Sequence, residues 1–356
     1  MDRAEQNSGT IDVREAHRFD VSRLQAFLER EVAGFAGPLG IEQFKGGQSN
    51  PTYKLTTPGR SYVLRRKPPG KLLPGAHAVD REYRVIEALG RQGFPVARAL
   101  ALCLDEAVIG TAFYVMEMVE GRIVWEATFP AVPAEDRPLY FSAMNEAIAK
   151  LHAIDPDEAG LGDYGKPGNY FARQIGRWSR QYAEDVEAGR VPAMDRLVEW
   201  LPLNIPADDA RPSIIHGDFR CDNMIFHPTE PRVLAVLDWE LSTLGHPLAD
   251  FSYHLMMYRM PPGLTAGLAG IDLERLNIPS EAEYVAAYCE RTGRSGIPGL
   301  DFYIAFNMFR LAAILHGIRG RVARGTASSA HADKMAAGLE RLADLAWEQA
   351  KRAGAG

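Results

Sequence analysis

A chain of 356 residues, 46% hydrophobic and 24% charged, has room for more than one core-forming lobe and excludes extended disorder. Its formal net charge of −6 lacks the basic footprint of a nucleic-acid binder. Its three cysteines, Cys103, Cys221 and Cys289, are too scattered for a disulfide framework or zinc knuckle; the polar start and the lack of a bilayer-spanning apolar run predict a cytoplasmic protein with no membrane partner.

Residues 1–18 read as a loose tail. Residues 20–32 place Asp20 ahead of apolar positions at helical spacing, which predicts an N-terminal helix. From Ile41 the pattern changes to short strand-like runs, IEQFKGG, SNPTYKLTT and SYVLRRK, separated by Gly, Asn and Pro-Gly punctuation, and these predict a small antiparallel sheet. The turn at 46–50, GGQSN, can aim several backbone N–H groups at an anion, although glycine pairs also join ordinary hairpins. Alternation along the third run puts Val63, Arg65 and Lys67 on one face. Residues 78–91 predict a helix whose stripe comprises Val79, Glu82, Ile86 and Leu89. A carboxylate in an apolar stripe is costly unless paired. Arg65 on the preceding strand is the expected partner, the alternative being a snorkelling glutamate on the helix flank. ARALALC and AFYVMEMV add two more strands, after which helical patterns dominate at 134–153, 170–187, 194–201, 281–292, 302–319 and 330–352. The chain therefore divides into a tail (1–18), a strand-rich lobe (19–118) and a larger helical lobe (119–356).

The second half carries one hairpin signal. Two apolar runs, 224–226 and 233–237, flank a polar turn rich in Pro and Thr. Pairing of these strands brings Asn223 and Asp238 side by side, with Asp218 in the loop just before. An amide oxygen beside a carboxylate suits a hard cation such as Mg²⁺, and a second carboxylate can take a proton from an attacking hydroxyl.

HGDFRCDN carries His216, Asp218 and Asn223 at the five-residue Asp-to-Asn spacing of kinase catalytic loops, and LDWE supplies Asp238 beyond it. With these residues the sequence resembles the aminoglycoside phosphotransferase and choline kinase group of the protein-kinase-like superfamily. Within that group it is similar to the phosphotransferase-like proteins related to the kinase region of certain acyl-CoA dehydrogenases. The resemblance implies an α+β, protein-kinase-like two-lobe fold: a small antiparallel-sheet lobe with one main helix, and a mostly helical lobe carrying the catalytic hairpin. It implies that Asp218 is the catalytic base, that Arg220 meets the transferring phosphate, and that Asn223 and Asp238 hold Mg²⁺. It further implies that Gly47, Ser49 and Asn50 lie at the phosphates of ATP, with Arg65 or Lys67 as the cation and Glu82 as its partner. YVMEMVEG resembles an adenine-binding hinge, with Met116 as gatekeeper and the Glu117 carbonyl and Val119 N–H as contacts. Asp250 matches an aspartate that braces the catalytic loop, while His246 stands where relatives often have Asp.

The expected activity is transfer of the γ-phosphoryl group of ATP to a hydroxyl of a small molecule. Arg310, Arg319, Arg321 and Arg324 lie close in sequence and favour an anionic acceptor, a hydroxyacyl-CoA or hydroxy acid. The alternatives are an aminoglycoside or other small alcohol as acceptor, or a nucleotide-binding regulatory module with no acceptor. His216 is expected to hold the loop backbone, His152 to close a helix, and Tyr253 to form core or pocket wall.

Overall fold

A computed structural model describes residues 7–46, 50–70, 77–166, 168–207, 210–264, 267–326 and 332–356. The chain forms two compact units. The first comprises Met1–Trp125, Asp157–Leu161 and Asp222–Ser242, so the hairpin expected in the second lobe packs with the first unit. The remainder, Glu126–Pro156, Gly162–Cys221 and Thr243–Gly356, forms the second.

The first unit is built on a six-stranded antiparallel sheet in the order β1-β2-β3-β4-β6-β5, with β1 Thr10–Ile11, β2 Gly40–Phe44, β3 Thr52–Thr56, β4 Ser61–Arg66, β5 Ala99–Cys103 and β6 Phe113–Glu117. β1 corrects the loose-tail expectation: Thr10 pairs with Phe44 and Ile11 with Gln43, extending the sheet edge. One sheet face is apolar. Tyr53, Leu55, Tyr62, Leu64, Phe113 and Val115 pack with Leu24, Phe27 and Leu28 of helix α1 (Val21–Glu31) in one buried cluster. The Asp20 side chain caps that helix by accepting the Arg23 N–H at 3.1 Å.

Strand alternation sends the next set of side chains to the other face. Thr52 pairs with Arg65 and Arg65 with Tyr114, while Lys54 pairs with Val63 and Val63 with Met116. Helix α2 (Val79–Arg91) meets this face through Glu82 and Tyr83. The hairpin Met224–Phe226 and Val233–Val236 makes a second small sheet with Arg122–Ile123. Gly121 permits that pairing, because a Cβ there would lie 2.4 Å from the Phe226 carbonyl oxygen.

The second unit is mostly helical, with long elements at Arg137–Ala153, Tyr170–Glu184, Glu281–Thr292, Leu300–Ala323 and Leu339–Arg352. Two features of it were not expected. Ser213–Ile215 pairs with Thr243–Gly245, and Pro247–Leu255 is a helix in which every residue is buried. Among the described residues no helix is long and apolar enough to cross a membrane.

Candidate active site

A cavity of about 610 Å³ lies in the first unit, bounded by the sheet face carrying Lys54 and Arg65, by residues 116–121, and by the hairpin. Hairpin geometry sets Asn223 beside Asp238: Met224 pairs with Val236, and the Leu237 N–H donates to the Asn223 carbonyl at 2.8 Å. Asp238 then leaves the strand in the left-handed region, at φ 66° and ψ 60°. Such a conformation is strained for a non-glycine residue and persists where surrounding contacts impose it. Trp239 supplies them. It is 1% exposed, donates Nε1–H to the Val236 carbonyl at 2.9 Å and stacks edge-on against Phe94. Asn223 and Asp238 both line the cavity.

Arg65 holds the centre of this unit's charge. Its Nε lies 2.9 Å from Glu82, and its terminal nitrogen lies 2.7 Å from Asp238 and 3.2 Å from Glu240. Glu82 also accepts from the Asn50 amide at 2.9 Å and the Tyr114 hydroxyl at 3.1 Å. Burial lifts the Glu82 carboxyl above its ordinary value, and the Arg65 guanidinium opposes that lift. Burial likewise acts to depress Arg65, but the carboxylates around it outweigh this and keep it charged. The cavity therefore offers amide and carboxylate oxygens together with two cations. That donor set fits a Mg²⁺ ion, which takes one or two protein oxygens and fills its shell from water and phosphate. Among the described residues no group of three or more His, Cys, Asp or Glu could cage a metal by itself.

The other expected positions divide. Met116, Glu117 and Val119 line the cavity. Asn50 does not aim at it as a phosphate contact: fully buried, it braces Glu82 and bonds His77 at 2.9 Å. Lys67 is half-buried, its N–H on the Ala112 carbonyl, and is not among the described lining residues. Lys54, two residues from Thr52 on the same face, is the lining cation that sequence reasoning missed; alternation along β3 carried the signal. Gly47 and Ser49 lie outside the described residues.

In the second unit Asp250, 1% exposed, accepts the backbone N–H groups of His216 at 2.8 Å and Gly217 at 2.7 Å. His152 Nε2 lies 3.3 Å from the same carboxylate, and its Nδ1 lies 2.8 Å from the Tyr288 hydroxyl, so His152 is a buried brace and not a simple helix end. Burial acts to raise the Asp250 carboxyl; hydrogen bonds from His152 and the His216 N–H outweigh it and leave it below its ordinary value. His216 Nδ1 accepts the Asp218 N–H at 3.1 Å, which commits it to the loop. Arg220 Nε is 3.2 Å from Asp218. Tyr253, expected as wall, instead donates its hydroxyl to Asp218 Oδ1 at 2.5 Å.

Three of the four arginines expected to cluster have separate partners. Arg310 is 8% exposed and donates to the Gly217 carbonyl at 2.9 Å. Arg319 is paired with Glu340, and Arg324 with Asp185 at 2.6 Å.

His254 gives this unit a pH dependence. Its Nδ1–H meets the Phe219 carbonyl at 3.1 Å, and its Nε2 lies 2.7 Å from the Tyr284 hydroxyl, contacts that the neutral ring satisfies with one nitrogen donating and the other accepting. Burial pushes its pKa from 6.5 down to about 4. The unfolded chain therefore binds a proton between those values that the fold rejects. The stability this contributes is complete above pH 6.5 and lost as pH falls towards 4, about 3 kcal/mol in total. Urea unfolding at pH 7.5 and pH 5 should show the loss, and His254→Gln should reduce the difference.

A model of the phosphotransferase enzyme family matches residues 40–303. The chain is 46% identical over 353 residues to acyl-CoA dehydrogenase family member 11 of Gallus gallus, and 44% identical over 337 residues to family member 10 of Mus musculus. These matches cover 97% and 93% of the chain but only 45% and 31% of the relatives, so the chain spans less than half their length. Among solved structures, a Ralstonia eutropha protein named as a candidate aminoglycoside phosphotransferase is 53% identical, covering 94% of this chain and 99% of that one with a TM-score of 0.86. A ternary complex of aminoglycoside phosphotransferase APH(4)-Ia with ADP and hygromycin B is 17% identical over 93% of this chain and 98% of that one, with a TM-score of 0.61, and shares the fold. The kinase-like fold expected from the sequence is the one these likenesses show.

Proposed function

The chain belongs to the phosphotransferase enzyme family, and on that premise we propose that it transfers the γ-phosphoryl group of ATP, with Mg²⁺, to the hydroxyl of a small molecule in the cytoplasm. The observation that carries this reading is that Asn223 and Asp238, at adjoining ends of two paired strands, both line a cavity that also presents Arg65 and Lys54.

In this reading Asn223 and Asp238 would hold Mg²⁺, which when bound would supply positive charge at the phosphate oxygens. Backbone groups of Glu117 and Val119 take the adenine beside Met116, and Gly47 and Ser49, outside the described residues, are assigned to the phosphates on the sequence resemblance alone. Arg65, steadied by Glu82 and Asn50, and Lys54 face the phosphate charge, with Lys67 a less direct contributor. Asp218 accepts the hydroxyl proton, and Arg220 supplies a forked cation to the transferring group.

One proposed acceptor is a hydroxyacyl-CoA or hydroxy acid. The names of the curated relatives support it; Arg310, Arg319 and Arg324 do not, since Arg310 meets the Gly217 carbonyl and the other two are engaged with carboxylates. An aminoglycoside or other small alcohol is supported to the same degree by the names of the solved neighbours. The non-catalytic alternative predicts nucleotide binding without turnover.

Asp238→Ala tests the metal assignment. Calorimetric titration should show ATP affinity in the presence of Mg²⁺ falling to the level seen in its absence. Full retention of Mg²⁺-dependent affinity would contradict the assignment.

A further inference from the structure

Asp218 is held by more than its own loop, and the groups that hold it come from two helices. The residue before it, Gly217, is in the left-handed region at φ 84°, a conformation glycine adopts without strain. Its peptide is pinned from both ends: Asp250 accepts the N–H at 2.7 Å, and Arg310 donates to the C=O at 2.9 Å. The backbone entering Asp218 therefore has a fixed direction.

A carboxylate can still turn about its terminal bond, because that torsion is broad and two-fold. Tyr253 removes the freedom. Its hydroxyl lies 2.5 Å from Asp218 Oδ1, and Arg220 Nε lies 3.2 Å from the same oxygen. Hydrogen bonds to an ionised acceptor are shorter and stronger than neutral ones, so the short Tyr253 bond makes Oδ1 the more firmly anchored oxygen, while an Arg220 terminal nitrogen donates to Oδ2 at a longer 3.5 Å. The Tyr253 ring is itself fixed: the residue is 9% exposed, and the Arg310 guanidinium sits 5.3 Å from its centroid, within cation–π range. Burial first, and then the Asp218 charge, push the phenol above its ordinary pKa, so it remains a donor throughout the physiological range.

Asp250 and Tyr253 are three residues apart on the helix Pro247–Leu255 and so share a face. One turn of helix thus delivers the loop brace and the carboxylate anchor together. Arg310 of Leu300–Ala323 touches both the Gly217 carbonyl and the Tyr253 ring.

We propose that Tyr253 is a positioning residue for Asp218, orienting the carboxylate that accepts the acceptor's proton, and that Arg310 serves this arrangement and not the recognition of an anionic substrate. The inference rests on Asp218 acting as the base. A misoriented base loses rate without losing ground-state binding, because the lost contact matters only in the transition state.

The test uses the full chain with Mg-ATP and water as acceptor, following ADP release for parent, Asp218→Asn, Tyr253→Phe and Arg310→Lys. Tyr253→Phe is expected to lower kcat roughly 10- to 100-fold with the KM for ATP unchanged within about twofold and the melting temperature retained. Arg310→Lys, which keeps the charge but loses the fork, is expected to lower kcat by a smaller factor, again at constant KM. If Asp218→Asn abolishes turnover while Tyr253→Phe leaves kcat at the parent level, the positioning role is overturned and the base assignment survives. If Asp218→Asn itself leaves the rate unchanged, the base assignment fails first. Should Tyr253→Phe not yield folded protein, Arg310→Lys decides: an unchanged kcat overturns the proposal, and a kcat loss at constant KM sustains it.

Discussion

Asp218→Asn is expected to reduce phosphoryl transfer by about 10²- to 10⁴-fold, the range general-base catalysis supplies, while Mg-ATP binds as tightly as before. An amide keeps the shape and still accepts the Tyr253 hydroxyl, which meets Asp218 Oδ1 at 2.5 Å, but it takes no proton from the attacking hydroxyl. The cavity proposed for the nucleotide lies in the first unit, whereas Asp218 belongs to the second, so affinity is expected to be preserved. Single-turnover ADP formation and equilibrium titration of Mg-ATP separate the two quantities. An unchanged rate sinks the assignment of Asp218.

Arg65→Met is expected to have the largest effect on stability. Glu82 is 1% exposed, and removing its guanidinium partner at 2.9 Å leaves a buried carboxylate with the Asn50 amide and Tyr114 hydroxyl as its side-chain donors among the described residues. Breaking a buried pair from one side costs about 3–5 kcal/mol, whereas replacing both partners with apolar groups costs far less. The double variant Arg65→Met/Glu82→Leu should therefore recover stability in urea unfolding relative to the single variant. It should not recover nucleotide affinity, because the cavity has then lost a cation. A single variant as stable as the parent contradicts this view of the pair.

These two sites differ in how visible they were. Glu82 betrayed itself as a carboxylate in an apolar helical stripe, and such a position needs a partner on a neighbouring element. The hairpin was visible because its apolar runs are short and separated by a turn, which fixes Asn223 and Asp238 against each other once the strands pair. The helix Pro247–Leu255 carried no such signal: with every residue buried it has no polar face to set a period. Tyr253 and its bond to Asp218 were hidden with it. β1 is two residues long and sits in a polar segment, so only its partner strand reveals it. The arginine cluster misled because nearness in sequence is not nearness on a helix. Arg310 and Arg319 are about two and a half turns apart, hence on opposite faces, and one points to Gly217 while the other pairs with Glu340.

Transfer of a phosphoryl group onto a hydroxyl leaves a phosphomonoester, and phosphorus NMR observes that product directly. Mg-ATP incubated with the full chain and a panel of hydroxyacyl-CoAs, hydroxy acids, choline, sugars and aminoglycosides should yield ADP and a new phosphomonoester resonance with one acceptor class, absent with Asp218→Asn. Tight Mg-ATP binding with no phosphomonoester from any acceptor would contradict the account and favour a nucleotide-binding module.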